Sequence, residues 1–364
     1  MPDWTIDRRR LRNGAETVLI AAIGSLVFVW INFPAGLICG SMLTVAAASL
    51  AGRPMVVPPP LARATFFVIG MSLGATVRPE TLHGILDWPL SMVLISISAL
   101  CMTFGTMTYL RLVHGWDARS ALYGGSPGGM AQVISMAVHT NSDIRGVAIV
   151  QTVRVIFISV SIPVGLALFG LAAPATATLG AANFNATFLD LAILAGFCLL
   201  TVLLLQWIRF PAHIVFGAML GSGILHGTGF LQASLPWWFV SGAVVMMGAT
   251  VGQRFANTPP QMLLAYFGAA VGSFAVAATI CAGFAVLVAT LTNAHVADLV
   301  ISFAPGAQDT MMVLALSLHI DPVFVGAHQL ARYLTVSLSL PLFAHIFTRG
   351  AETKKPEEKS GPPA

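Results

Sequence analysis

The sequence predicts an all-α protein that crosses a membrane many times and is built from two duplicated halves. Three observations predict this class: long apolar runs, few charges and an internal repeat. Hydrophobic residues make up 57% of the 364 residues and charged residues only 9%, whereas a soluble domain usually carries about 25% charged residues. A surface with so few charges faces lipid rather than water, which excludes a large soluble globule.

The apolar runs recur along the whole chain and have the length of membrane-spanning helices. A membrane helix needs roughly 20 apolar residues, and runs such as 89–110 and 262–291 reach that length. The lipid bilayer is therefore the expected partner of this surface. Ten spans are expected near 14–31, 34–51, 62–77, 89–110, 146–170, 188–207, 211–225, 236–252, 262–291 and 322–346.

The internal repeat appears when 126–164 is placed over 304–342 without gaps. The motifs Phe-Pro-Ala and Gly-Ala-Thr-Val precede the matched stretch in both halves. So many matches in register indicate a duplication, with halves at 14–170 and 188–348 and a linker at 171–187. The identical pairs include Pro127/Pro305, Gly128/Gly306, Asp143/Asp321, Gln151/Gln329 and Arg154/Arg332.

Each half also contains a short segment that proline and glycine break, about 120–139 with "SPGG" and 302–319 with "APGA". Irregular backbone at membrane depth is tolerated only where it is buried in protein or lines a wet cavity. Two interpretations stay open. The helix N-termini after the glycines could form a substrate or ion site, or the breaks could be kinks that serve helix packing.

The distribution of basic residues favours re-entrant broken segments. If both segments are re-entrant and the N-terminus is cytoplasmic, 15 Lys and Arg lie on the cytoplasmic side and only Arg78 lies outside. If both segments cross, the count becomes 12 against 4, so the positive-inside rule favours the first model. It predicts inverted five-span repeats in a bacterial inner membrane, an external linker, and cytoplasmic tails at 1–13 and 349–364, the latter disordered. Inverted repeats are typical of secondary transporters.

Two arginines lie within predicted spans. Arg154 and Arg332 each follow a glutamine by three residues, so Gln151 and Gln329 share a helix face with them. A charge at the bilayer centre costs about 2.5–3.5 kcal/mol on insertion scales, so such residues usually face protein or water. Substrate contact and structural pairing, with carbonyls or with an acid, both stay open for these arginines. The candidate acids are Asp143 and Asp321, which more naturally cap the helices that follow them.

Asp309 has no counterpart in the first half, where Ala131 stands at the equivalent position. This acid could carry a proton or coordinate a cation, or it could pair with one of the two arginines. The remaining candidates are the polar and small residues of the two broken segments. The predicted substrate- or ion-binding set is Ser126, Pro127, Gly128, Gly129, Gln132, Gln151, Arg154, Pro305, Gly306, Gln308, Asp309, Thr310, Gln329 and Arg332.

The sequence lacks the motifs of enzymes and metal proteins. No HExxH, P-loop or GxGxxG element is present, and the four cysteines lie singly within apolar runs. His319 and His328 match no recognised metal-ligand spacing. We therefore expect no catalytic residue, no metal, no cofactor and no nucleic-acid partner. Association with further copies of the chain is compatible with the sequence.

The pattern "SPGGMAQ"/"APGAQDTM", with its continuation of Asp, Gln and Arg, resembles the bacterial AbrB-type membrane protein family, whose members contain this duplication. Members are labelled regulators or putative ammonia monooxygenases. A monooxygenase would need a redox metal site, and the sequence offers no His, Asp or Cys cluster for one.

The expected function is a secondary transporter or exporter that moves a small, anionic solute by alternating access. The first alternative is a membrane-embedded sensor or regulator that influences gene expression indirectly. A membrane oxidoreductase is the less favoured third.

Overall fold

The computed structural model describes residues 8–77, 88–127, 133, 136–137, 142–171, 187–210, 212–231, 233–256, 258–292 and 294–352. Within them the regular structure is thirteen α-helices and one short 3₁₀ helix, without a strand, which confirms the all-α prediction. The helices are α1 (Arg8–Trp30), α2 (Gly36–Leu50), α3 (Pro59–Gly74), α4 (Pro89–His114), α5 (Ala118–Gly125), α6 (Ile144–Leu168), α7 (Phe188–Trp207), α8 (His213–Gly227), α9 (Trp237–Gly252), α10 (Pro260–Leu291), α11 (Val296–Phe303), α12 (Gln308–Ser317) and α13 (Pro322–Glu352).

Each of the ten predicted spans coincides with a helix. Within the described part of the chain, five helices are long and apolar enough to cross a membrane, namely α1, α4, α6, α7 and α10. Four others, α2, α3, α8 and α9, have only 15 or 16 residues. At about 1.5 Å per residue they reach about 22–24 Å, which is less than the roughly 30 Å of a hydrocarbon core.

The described residues at the two Phe-Pro-Ala motifs adopt matching left-handed conformations. Asn32 and Ala35 have φ angles of 55° and 51° between α1 and α2, and Arg209 and Ala212 have 55° and 48° between α7 and α8. A left-handed conformation costs a non-glycine residue of order 1–3 kcal/mol. The surrounding packing therefore imposes these conformations in both places.

Helices of the two halves pack against each other through glycine. α9 lies on α2 so closely that a Cβ atom at Gly248 would lie 2.6 Å from the Ile38 carbonyl oxygen. α3 lies on α8 in the same way, because a Cβ atom at Gly70 would lie 2.5 Å from the Val215 carbonyl oxygen. Only glycine permits such close contact between the two helix backbones, and helices of the first half pack against helices of the second half at these positions.

The relative directions of the long helices follow from the order of their contacts. Trp88, at the start of α4, packs edge-on against Phe324, at the start of α13, with ring centroids 5.3 Å apart. Further along both helices, Phe104 packs against Phe343 at 4.7 Å. The contacts advance in the same order along both chains, so α4 and α13 run parallel.

The long helix α10 contacts both α4 and α6. The Ser98 hydroxyl donates to Cys281 Sγ at 3.9 Å, whereas the later Tyr109 hydroxyl donates to the earlier Gly268 carbonyl at 3.4 Å. α4 and α10 are therefore antiparallel. The Tyr266 hydroxyl of α10 bonds to the residue that caps α6, and Phe157 stacks on Phe274 at 5.6 Å, so α6 and α10 run parallel.

Candidate functional site

The second broken segment is a helical hairpin. α11 ends at Phe303, and α12 begins at Gln308 after the non-helical stretch 304–307. At the base of the hairpin, the Asp321 N–H donates to Asp298 Oδ1 at 3.1 Å. The chain thus returns to the level at which α11 began. The predicted start at 302 was too late, because α11 already begins at Val296.

The first broken segment is closed at its base by an equivalent contact. α5 ends at Gly125, and the Asp143 N–H donates to Ser120 Oγ at 2.8 Å. Ser120 and Asp143 precede Asp298 and Asp321 by the same 178 residues. The described ends of this segment thus meet as those of the second segment do, and the two segments are called the first and second hairpins. The predicted site residues Gly128, Gly129 and Gln132 lie outside the described residues.

Arg154 fixes the tip of the first hairpin. Its side chain is buried on α6, with Nη1 donating to the Gly125 carbonyl at 3.1 Å and Nη2 to the Ser126 carbonyl at 2.9 Å. Gln151 Nε2 donates to the Tyr123 carbonyl at 2.8 Å. The last carbonyls of a helix lack partners within it and carry partial negative charge. The two side chains satisfy such carbonyls at the end of α5.

Arg332 fixes the tip of the second hairpin. Its Nη1 donates to the Ala304 carbonyl and its Nη2 to the Gly306 carbonyl, the latter at 2.7 Å. Gln329 Nε2 donates to the carbonyls of residues 301 and 302, both at 3.1 Å. Of the two interpretations left open, these contacts match the one in which each arginine fixes a neighbouring helix by binding its carbonyls.

The candidate acids at the hairpin bases serve as helix caps. Asp143 accepts the Gly146 N–H at 3.1 Å and the Tyr266 hydroxyl at 2.6 Å. Asp321 accepts the Val323 N–H at 2.9 Å. Within the described residues, neither acid pairs with an arginine of the hairpin tips.

Both hairpin tips line one cavity of about 270 Å³. Predicted residues from α6, α12, α13 and both breaks meet there. Ser126 and Thr310 are buried beside the breaks and do not line the cavity. The predicted residues that do line it are Pro127, Gln151, Arg154, Pro305, Gly306, Gln308, Asp309, Gln329 and Arg332.

The cavity wall also contains residues that the sequence did not single out. Arg254 lies in the 3₁₀ helix Gln253–Phe255 after α9, and its half-buried side chain makes no hydrogen bond or ion pair within the described residues. The topology inferred from the positive-inside rule places Arg254 among the 15 cytoplasmic Lys and Arg residues. Its one sequence signal is its place three residues after the second Gly-Ala-Thr-Val motif. The other additional lining residues are Val155, Ala212, Ala307 and Tyr333.

The charges of the cavity favour an anionic ligand. Three guanidinium groups, from Arg154, Arg254 and Arg332, face one carboxylate, from Asp309, so the formal charge of the described lining is +2. The N-terminus of α12 also meets the cavity, and its N-cap residue, Ala307, supplies no side-chain acceptor. Unpaired N–H groups at a helix N-terminus attract anions.

The histidines and cysteines form no metal site in the described ranges. His328 is buried and bonded to the Phe324 carbonyl at 2.8 Å and to Ser91 Oγ at 2.7 Å. Within those ranges, no three of the His, Cys, Asp and Glu side chains lie together as a metal ion would need. Cys101 is exposed, and the other three cysteines are buried and free.

Comparison with known proteins supports the resemblance inferred from the repeat. A Bacillus subtilis (strain 168) protein named uncharacterized protein YhjN is 26% identical over 314 residues, which cover 80% of each chain. An Escherichia coli (strain K12) protein named putative regulator AbrB is 25% identical over 352 residues, which cover 91% of this chain and 95% of that one. The model of the family described as "Transition state regulatory protein AbrB" matches residues 37–348, most of the chain, and the protein therefore belongs to the AbrB family.

Proposed function

We propose that this protein is a secondary transporter of a small anion in the bacterial inner membrane. One observation carries the proposal: Arg154 and Arg332, each bound to the carbonyls of a hairpin tip, line the same cavity without an acidic partner among the described residues. Carbonyl oxygens offset part of the cost of burying a guanidinium but leave its full charge in place. An anion that enters the cavity neutralises that charge.

The helix directions support an arrangement of two inverted repeats. In a chain of ten crossings with two re-entrant hairpins, α6 and α13 are equivalent and run in opposite directions. The contacts agree with this expectation, because α6 is parallel to α10, α10 is antiparallel to α4, and α4 is parallel to α13. On this arrangement the hairpins enter from opposite sides of the membrane.

The depth of the hairpin tips supports a site near the middle of the bilayer. Arg154 lies ten residues after the first residue of α6, and Arg332 lies ten residues after the first residue of α13. Ten residues of helix extend about 15 Å, which is half of a hydrocarbon core of about 30 Å. Substrate sites of inverted-repeat transporters lie at this depth, beside broken helices.

The size of the cavity favours a small solute. Pockets for drug-sized ligands hold roughly 300–1,000 Å³, and this cavity holds about 270 Å³. A guanidinium group with uncommitted N–H donors, such as that of Arg254 among the described residues, binds planar carboxylates and tetrahedral oxyanions with paired hydrogen bonds. Small carboxylates, phosphate and sulfate are therefore the ligands to test.

Uptake into proteoliposomes tests the proposal. Radiolabelled acetate, succinate, phosphate and sulfate are offered in turn to vesicles that contain the wild-type protein, Arg332→Gln or Arg53→Gln. Arg53 is a matched control, because it lies outside the cavity and pairs with Glu16 at 3.0 Å. We expect saturable uptake of at least one anion, a loss of tenfold or more in Arg332→Gln, and no loss in Arg53→Gln. Absence of uptake of every anion by folded wild-type protein would contradict the proposal.

A regulatory role is the second candidate, favoured by the name of the Escherichia coli relative, which covers nearly the whole chain. A sensor would use the same cavity to bind its ligand without moving it. Anion binding in detergent without uptake into vesicles would therefore favour the regulator over the transporter.

A further inference from the structure

Two side chains of the cavity carry charges that the hairpin framework does not use. The terminal nitrogens of Arg154 and Arg332 donate hydrogen bonds to backbone carbonyls. Arg254 and Asp309 make no hydrogen bond or ion pair within the described residues, although both line the cavity and the Asp309 charge acts on the Arg254 guanidinium. Both groups are therefore available to a ligand.

Neither member of this pair belongs to the duplicated framework. Three residues after the first Gly-Ala-Thr-Val motif stands Glu80, where Arg254 follows the second motif, and Ala131 corresponds to Asp309 at the offset of 178 residues. The contacts that hold the hairpin tips recur in both halves and do not involve Arg254 or Asp309. The tip contacts of the first hairpin form without residues of this kind. Arg254 and Asp309 therefore add one positive and one negative charge that the shared contacts do not require.

The position of Asp309 links it to anion binding. It lies in the first turn of α12, where the helix dipole favours negative charge. An anion attracted by the same N-terminus and by Arg254 comes close to this carboxylate. Two negative charges in one cavity repel each other, and such repulsion is relieved when one of them binds a proton.

We propose, on the basis of the anion-transport function above, that Arg254 binds the transported anion and that Asp309 takes up a proton as the anion binds. The carboxylate of Asp309 becomes a neutral carboxylic acid, and the proton comes from water on the side to which the cavity is open. The protein is then a proton–anion symporter.

The charge balance of the cavity supports this coupling. The described lining of the empty cavity carries +2, a bound monovalent anion lowers the charge to +1, and one proton on Asp309 restores +2. Among the described residues, the charged and titratable groups that line the cavity together with Asp309 are Arg254, Arg154 from α6, and Arg332 and Tyr333 from α13. Asp298 of α11 lies at the hairpin base, where it accepts the Asp321 N–H. For a monovalent anion the loaded and empty cavities thus carry the same charge, and for a divalent anion the proton limits the change to one unit.

The experiment measures protons and anions together. Purified protein in weakly buffered detergent is mixed with acetate, succinate, phosphate or sulfate, and proton uptake is followed with a pH indicator while binding is measured with the radiolabelled anion. For wild-type protein we expect about one proton per anion, and an affinity that rises as the pH falls, approaching about tenfold per pH unit where the proton is taken up. Arg254→Gln is expected to bind at least tenfold more weakly.

Variants of Asp309 separate coupling from binding. Asp309→Asn is expected to bind the anion without proton uptake and with an affinity that no longer depends on pH. Asp309→Ala copies the residue of the first half and serves if Asp309→Asn does not fold. Glu16→Gln, which removes a carboxylate outside the cavity, is expected to behave like the wild-type protein.

The outcomes distinguish this inference from the proposed function. Anion binding by the wild-type protein without proton uptake overturns the coupling and leaves anion transport standing. Proton uptake that persists in both Asp309 variants overturns the assignment to Asp309, and unchanged affinity in Arg254→Gln overturns the role of Arg254. Failure of folded wild-type protein to bind any of the four anions overturns both proposals.

Discussion

Arg154 and Arg332 make the same contact in the two halves of the chain: each donates a hydrogen bond to the backbone carbonyl 28 residues before it, that of Ser126 in one case and of Ala304 in the other. Each contact ties the middle of a long helix to the tip of a hairpin. The two arginines thus connect α6 and α13 to two walls of the cavity, and we expect a displacement of either helix to move the hairpin tip that it holds.

Replacing Arg332 by lysine is expected to destabilise the protein although the charge remains. An ammonium group is a compact donor and does not span the carbonyls of Ala304 and Gly306 as the planar guanidinium does. A buried carbonyl left without a partner costs about 1–3 kcal/mol. Thermal unfolding in detergent measures the loss, with Arg53→Lys as the exposed control. Equal melting temperatures for the two variants would show that the carbonyl contacts do not hold the tip.

Replacing Gly248 by alanine is expected to separate α9 from α2. The new methyl group would lie 2.6 Å from the Ile38 carbonyl oxygen and against the Ser41 hydroxyl, so the helices have to move apart. Gly242→Ala on the same helix is the matched control, because nothing lies within 4 Å of its Cβ position. The control gains helix propensity of up to about 1 kcal/mol, so the two variants should shift the melting temperature in opposite directions. Shifts of the same sign would contradict the close packing.

The base of the first hairpin depends on one hydroxyl. Ser120→Ala removes the acceptor of the Asp143 N–H, whereas Ser120→Thr keeps a hydroxyl there. We expect a loss of stability of about 1 kcal/mol for alanine and faster hydrogen exchange at the amide of Asp143. Threonine should restore slow exchange if its methyl group fits, and exchange as fast as in alanine would argue against the contact.

The helices could be predicted from the sequence because length and hydropathy determine them. Each of the ten apolar runs coincides with a helix, and Gln151 and Arg154, which the spacing places on one helix face, both line the cavity. Spacing identifies a shared helix face but not the partner of a side chain, so carbonyl binding by the arginines stayed one of two alternatives. Arg254 was missed because a cation after a span is normally a loop residue, and its approach to the cavity depends on how α9 packs on α2.

The inverted arrangement that we propose for the two repeats predicts that the two hairpins open on opposite sides of the membrane. His114 and His295 are exposed; His114 ends α4, four residues before α5 begins, and His295 directly precedes α11. In a Cys101→Ala background, which removes the exposed native cysteine, each histidine is replaced by cysteine and treated with a membrane-impermeant thiol reagent in right-side-out and inside-out vesicles. We expect His114→Cys to react from the cytoplasmic side and His295→Cys from the outer side. Reaction of both cysteines from one side would mean that the two hairpins enter the membrane from the same side. This result would contradict the inverted arrangement and, with it, alternating access through the two hairpins.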